Sequence, residues 1–346
     1  TFHRSRSHDY VAKEVKAVRE NLGASEVASF ANHKFTGSGA RAFLDRILAG
    51  HMPEHGRVNL SPMLLESGKL NGDLTIACID DETYYLFGSS VAQNMHLRWF
   101  EKHLEGVDDV IYKNMTDDFH GIAISGPNSR ELLSRLTRED VSSDAFKFRD
   151  IRDTFIGGVP ALCVRLSFTG ELGYEIYVAP QYQLKLFEEI EEVGKDLDVK
   201  WFGGRALMSM RLEKSWGAWT LDFRPDFTLM ESGLDFFVNW NKDFIGKDAA
   251  LEEQKNGPSK HLSVIEIETE TDVSGDEAVM HNGKCISYIT SGGYGHSVEK
   301  SLAMTYLPVE LIKESAEFEV EILGIFHKAK VVLKPLYDPS GSKMRE

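Results

Sequence analysis

Asp73 stands directly after Gly72 at the entry of the apolar run Leu74-Thr75-Ile76-Ala77. Glycine lets a backbone approach a ligand closely, and a carboxylate at a strand mouth can take a proton or stabilise a developing cation. An aspartate that merely caps a turn has the same pattern. A second stretch, Phe168-Thr169-Gly170-Glu171-Leu172-Gly173-Tyr174-Glu175-Ile176-Tyr177, brackets Glu171 with two glycines and opens a strand on Glu175. A carboxylate fixed on a strand suits two-point recognition of a guanidine-like edge, although exposed acids in a turn look alike. The third stretch, 203–219, reads as a helix opened by Gly203 and Gly204 and closing on Trp216 and Trp219. Its Met and Leu residues read as core, but Arg211 and Glu213 in so apolar a helix need partners.

The elements that must position these residues alternate along the chain. Apolar residues at helical spacing predict a surface helix over 9–22. A strand over 30–35, the Gly37-Ser38-Gly39 turn and a helix over 40–48 follow, then strands over 70–79 and 83–87 and an amphipathic helix over 91–104. A similar order recurs from Gly121, with strands near 122–125, 154–156, 161–167 and 175–178 and an acidic helix over 182–193. Short turns between strands make this α+β with antiparallel sheets rather than a doubly wound parallel sheet. Beyond the Lys255-Asn256-Gly257-Pro258-Ser259 break the chain turns to short strands, which read as a small closed β-barrel. The predicted domains are therefore 1–256, with a subdomain break near 110–120, and 257–346.

With 346 residues, 42% hydrophobic and 27% charged, the chain has the composition of a folded globular protein of two or three packed units. Fifty-four acidic against thirty-nine basic residues give a net charge of −15, which argues against nucleic acid as a partner. No apolar stretch approaches the length of a membrane helix, and the N-terminus lacks the apolar run of a signal peptide, so the chain reads as cytosolic or of the mitochondrial matrix. Opening on Thr1 rather than Met, it reads as a processed product or a piece of something longer. Cys78, Cys163 and Cys285 are few and widely spaced, and read as small core residues.

Two motifs are decoys. Gly37-Ser38-Gly39-Ala40-Arg41-Ala42 fits a dinucleotide fingerprint but lacks a parallel βαβ continuation, so it reads as a plain strand-turn-helix junction. His51-Met52-Pro53-Glu54-His55 matches a zinc-peptidase pattern, yet Pro53 and the flanking glycines make it a turn, and no metal is expected.

At the three chemical stretches the sequence resembles the tetrahydrofolate-dependent aminomethyltransferases of glycine cleavage. It is most similar there to the C-terminal folate domains of dimethylglycine and sarcosine dehydrogenases. The likeness runs in order through Phe35 to Ala40, Gly68 to Leu74, Gly121 to Pro127, Phe168 to Tyr177, Arg211 to Trp219, Glu231 to Leu234, Asp243 to Lys247 and Thr290 to Tyr294. The resemblance implies an aminomethyltransferase-like folate-binding fold with a C-terminal β-barrel, and tetrahydrofolate as cofactor. It places Asp73 on the catalytic aspartate and Glu175 on the glutamate that binds the pterin ring, whose 2-amino-4-oxo face is guanidine-like. Phe168 and Leu60 stand where glycine-cleavage enzymes have tyrosines, which puts an aminomethyl-lipoyl substrate in doubt. Arg205 lies near the position of an arginine that aligns with Leu207, and with Arg211 it is a candidate for meeting the cofactor; Phe168, Glu171 and Tyr84 are further candidates for that pocket, the two aromatics by stacking on the pterin.

The implied reaction passes one carbon from an oxidised N-methyl amine to tetrahydrofolate, giving 5,10-methylenetetrahydrofolate. No flavin-binding half is recognisable, so the resemblance implies a flavin-dependent amine oxidase domain or subunit as partner. A second possibility is direct methyl transfer from a methylated onium compound such as dimethylsulfoniopropionate, with Trp216 and Trp219 as a cation-binding face. A third is a non-catalytic folate-binding module.

Overall fold

The computed structural model describes residues 3–27 and 30–346, so Thr1 and Phe2 of the N-terminal reading lie outside it. In chain order it runs α1 (His8–Glu20), β1 (Gly23–Glu26), β2 (Ala31–Thr36), α2 (Ala40–Ile47), β3 (Arg57–Leu64), β4 (Leu70–Asp80), β5 (Thr83–Gly88), α3 (Gln93–Leu104) and β6 (Ile111–Asn114). There follow β7 (His120–Ser125), α4 (Ser129–Leu136), β8 (Ile151–Ile156), β9 (Val159–Val164), β10 (Gly173–Val178), α5 (Gln183–Val193), β11 (Lys200–Trp201), α6 (Gly204–Glu213) and α7 (Lys247–Asn256). The chain ends in β12 (Lys260–Ile267), β13 (Ala278–His281), β14 (Lys284–Gly295), β15 (Lys300–Pro308), β16 (Glu317–Ile322) and β17 (Ile325–Val332).

Three sheets result. A five-stranded antiparallel sheet has the order β3-β4-β5-β2-β6, and a six-stranded sheet has the order β11-β1-β7-β10-β9-β8, with only the β1–β11 pair parallel. The last six strands close into a barrel. The architecture is thus α+β with mainly antiparallel sheets, followed by a closed β-barrel. The passage from the five-stranded to the six-stranded sheet falls between β6 and β7.

The five-stranded sheet is covered on both faces. Leu74, Ile76 and Cys78 of β4, with Tyr84 and Leu86 of β5, pack with α2 and Phe100 of α3. Residues of opposite parity, Ala77 and Phe87, join Val58 of β3 and meet Leu162, Val164 and Tyr177 of the six-stranded sheet. A strand buried on both faces carries apolar residues at every position, which explains the run in β4. Strand β3 contains Pro62 and Asn59, which disguise it as a loop in the sequence. As the sheet's edge strand it tolerates a residue without an N–H.

Two readings need correction. The helix expected over 203–219 stops at Glu213, because Ser215 takes a left-handed φ of 58° and the chain turns back toward Phe223. Both tryptophans therefore lie beyond the helix. Cys78 and Cys163 are buried, but Cys285 is exposed beside the β13–β14 turn, where the short hairpin leaves it uncovered. Among the described residues no helix is long and apolar enough to cross a membrane, and no group of three His, Cys, Asp or Glu side chains could hold a metal.

Candidate active site

Asp73 pairs with Pro62 across the β3–β4 ladder, Thr75 with Leu60 and Ala77 with Val58. Side chains alternate along a strand, so Asp73 and Thr75 share the face of Ala77, the face turned toward the six-stranded sheet. Thr75 lies opposite Phe87 of β5. Among the described residues Asp73 makes no hydrogen bond or ion pair with another side chain, and part of it still meets solvent. Burial of its surroundings pushes its carboxyl up to about 7, against a smaller downward pull from its own backbone N–H. An acid so poised can hold or release a proton near neutrality.

Glu175 and Tyr177 alternate on one face of β10, and Tyr177 belongs to the same inter-sheet cluster as Ala77 and Phe87. Both carboxylates thus belong to the two sheet faces that look toward each other. Tyr177 donates a 2.7 Å hydrogen bond to Glu175 Oε2, and its ring stacks on Phe87 with centroids 4.8 Å apart. Burial lifts the Glu175 carboxyl to about 7, and the Tyr177 bond restrains the rise. The Tyr177 hydroxyl is pushed up by burial and by the neighbouring carboxylate.

The other candidates distribute as follows. Phe168 is half-buried and stacks on Trp216, centroids 5.6 Å apart and 24° between planes. Its loop turns at Gly170, whose φ of +87° disfavours a side chain and where an added Cβ would come within 2.9 Å of Lys214 Cδ. Trp219 is packed away from Trp216, in the core with Phe223, Leu229 and Leu70, so the two tryptophans occupy different surroundings. Tyr84 points to the opposite face of β5 from Phe87, where its hydroxyl meets Arg41. The side chains of β5 that share the Asp73 face are Tyr85 and Phe87. Arg211 is buried and ion-paired to Asp222 at 2.6 Å. Arg205 is exposed and donates to Ser7 Oγ. Glu171 is buried against Arg19, which also pairs with Glu213. The acid between the two glycines is thus a bracing group for the Phe168 loop, and Arg19 itself donates to the Thr169 carbonyl at 2.6 Å. Nothing near position 19 in the sequence signals this, because its partners lie 150 to 278 residues away. The cavities lined by Arg130 and Ser142 and by Tyr10 and Trp201 include neither Asp73 nor Glu175.

The family profile "GCVT N-terminal domain" matches residues 1–242, and "Glycine cleavage T-protein C-terminal barrel domain" matches 260–338. The chain belongs to the glycine cleavage T-protein family. An aminomethyltransferase from Geobacillus sp. (strain WCH70) is 32% identical over 94% of this chain and 90% of its own length. Human mitochondrial dimethylglycine dehydrogenase is 32% identical over the whole chain, but the chain spans only 41% of that protein. The solved aminomethyltransferase T of the glycine cleavage system from Bartonella henselae superposes with a TM-score of 0.87 over 95% of this chain and 90% of its own, at 24% identity, which establishes the shared fold.

This family is tetrahydrofolate-binding, and this chain's side chains can be matched against that group. Its residues fit the group. Glu175 offers a carboxylate with one hydrogen-bond partner and free acceptor capacity, as the amino edge of a pterin requires. Phe87 and Tyr177 supply flat aromatic surface beside it. Asp73 faces the same layer with no side-chain partner of its own.

Proposed function

We propose that this chain transfers a one-carbon unit from an N-methylated amine of the dimethylglycine or sarcosine type to tetrahydrofolate, giving 5,10-methylenetetrahydrofolate. The observation that carries the reading is the placement of Asp73 and Glu175 on sheet faces that look toward each other. The match of the whole chain to 41% of dimethylglycine dehydrogenase supports the choice of donor. Bound tetrahydrofolate supplies the nucleophilic nitrogens that accept the carbon. Glu175 holds the pterin edge, with Tyr177 restraining its carboxylate. Asp73 stabilises the cationic charge of the incoming iminium carbon, takes up the proton released as a folate nitrogen bonds to that carbon, and passes it to the demethylated amine, which leaves as its own bond to the carbon breaks. A carboxyl near pH 7 serves these tasks. The part of Asp73 that meets solvent is covered once folate is seated over it, which keeps water from releasing the carbon as formaldehyde. A flavin-dependent amine oxidase domain or subunit supplies the iminium.

The test is to incubate the protein with tetrahydrofolate and candidate donors and to identify the folate product. Methylene folate formed only when an amine oxidase works on an N-methyl amine is the expected result. Methyl folate formed from an onium donor without a redox partner, or tight folate binding with no turnover, would overturn the proposal.

A further inference from the structure

The backbone leading into Asp73 is irregular, and one buried ring holds it. On the β3–β4 ladder Met63 faces Gly72 while Leu64 faces Leu70, so Asn71 is the extra residue of a β-bulge two positions before Asp73. Such bulges re-aim the side chains beside them. His96 of α3 is 1% exposed, and its Nε2 lies 3.0 Å from the Asn71 carbonyl oxygen. A carbonyl only accepts, so Nε2 carries the hydrogen and donates. The approach is close: a Cβ on Gly72 would lie 2.9 Å from His96 Nε2 and 3.2 Å from Met63 Cε. Trp219 and Phe100 flank the imidazole, with centroids 6.0 and 6.2 Å away. Burial holds this histidine neutral, with a pKa lowered to about 4, so its single ring proton stays in place across physiological pH. The other ring nitrogen, Nδ1, is buried with no hydrogen-bond partner. Phenylalanine would fill the same space without that unsatisfied atom, so packing alone does not account for a histidine here.

We propose that His96 is a positioning residue for one-carbon transfer: its Nε2–H clamps the Asn71 carbonyl and thereby fixes the bulge that aims Asp73. The claim rests on the reading of Asp73 as the group beside the reacting carbon. It makes Trp219 part of the same support, since that ring lies against the imidazole, tilted 52° to it.

The experiment compares wild type, His96→Phe, His96→Gln and Gly72→Ala. Three quantities are read: tetrahydrofolate affinity, kcat with an N-methyl amine and an amine oxidase, and the titration midpoint of Asp73 by isotope-edited infrared spectroscopy. His96→Phe is expected to lower kcat by about a hundredfold, the scale of an ångström-size misplacement. Folate affinity stays within about threefold, and the Asp73 midpoint moves, because the clamp and not the ligand pocket is lost. His96→Gln, which keeps an N–H, restores most of the rate. Gly72→Ala pushes the ring off the carbonyl from the strand side and reproduces the loss, so the claim stays testable if His96→Phe does not fold. Wild-type kcat with an unmoved Asp73 midpoint in either disrupting variant, or a His96→Gln as impaired as His96→Phe, would overturn it. Should wild type bind no tetrahydrofolate, the functional reading fails alone, and the Asp73 midpoint still decides the positioning claim.

Discussion

Tyr177 donates to Glu175 Oε2 across 2.7 Å from the same face of β10, so the phenol and the carboxylate act as one unit. The bond stabilises the ionised acid, while burial opposes ionisation and brings its pKa to about 7. Tyr177→Phe removes the stabilising part and leaves the burial. The Glu175 pKa then rises further, and the carboxylate that accepts the pterin edge is scarcer at neutral pH. Tetrahydrofolate affinity at pH 7 should fall about three- to tenfold and recover near pH 8.5, a shift that titration calorimetry at both pH values will detect. Equal affinity at pH 7 would mean that Glu175 does not hold the ring.

Asp73→Asn separates chemistry from binding. The amide keeps the shape of the side chain but cannot take up a proton, so transfer should be abolished while folate affinity stays within severalfold. A stability test accompanies it, with its sign fixed by the raised pKa. An acid whose folded pKa is about 7 favours the folded state at low pH and loses that advantage as pH rises through 7. Asparagine carries no such penalty. The variant should therefore gain melting temperature relative to wild type at pH 8 and less or none at pH 5, by differential scanning calorimetry. Retained transfer activity would remove Asp73 from the mechanism.

The strands that carry Asp73 and Glu175 are legible because β4 and β10 announce themselves in local pattern. Which face of each strand matters is harder to read. Tyr84 reads as a pocket aromatic in the sequence and Phe87 draws no notice, since both faces of β5 are buried and alternation gives no polar side to mark. Phe87 belongs to the inter-sheet layer only because of how the two sheets stack. Arg19 escapes for a different reason: an arginine among the charges of a surface helix looks solvated, and its burial follows from contacts with Glu171 and Glu213 far along the chain. Trp216 and Trp219 look paired until Ser215 breaks the helix and sends their rings into different surroundings.

Arg19 offers a test of the brace behind the Phe168 loop. Its guanidinium is 2.9 Å from Glu171, 2.7 Å from Glu213 and 3.7 Å above the Tyr337 ring, all buried or nearly so. Arg19→Met removes the main cation from two buried carboxylates, leaving Glu171 the Tyr337 hydroxyl and Lys343 at 3.8 Å and leaving Glu213 the Ser297 N–H, and should destabilise by about 3 kcal/mol. The triple change Arg19→Met, Glu171→Gln, Glu213→Gln removes the charges together and should recover most of that loss. Urea denaturation distinguishes the two. A single variant as stable as wild type would mean that solvent reaches the carboxylates and that the brace has little strength.

The buried histidines set the last prediction, because their pull on acid stability opposes that of the site carboxylates. His33 is fully buried and its pKa is lowered to about 3, and His96 is lowered to about 4, both chiefly by burial. In the unfolded chain each takes up a proton near pH 6.5, whereas in the folded chain it does not until far lower. The unfolded state therefore binds more protons between pH 6.5 and 4, and each histidine removes about 1.4 kcal/mol of stability per pH unit across that window. Asp73 and Glu175 act with the other sign. With folded pKa values of about 7 they keep protons that the unfolded chain has released, so their contribution grows as pH falls from 7 toward 4. His296, its imidazole also lowered to about 4 chiefly by burial, adds to the histidine side. The wild-type stability should therefore fall only gently between pH 6 and 4.5, held up by the two carboxyls. In the double variant Asp73→Asn, Glu175→Gln the opposing pair is gone, and urea midpoints should drop steadily over the same interval. A double variant with a flat profile would show that His33 and His96 titrate in the folded protein, and with that the neutral imidazole on the Asn71 carbonyl would be lost.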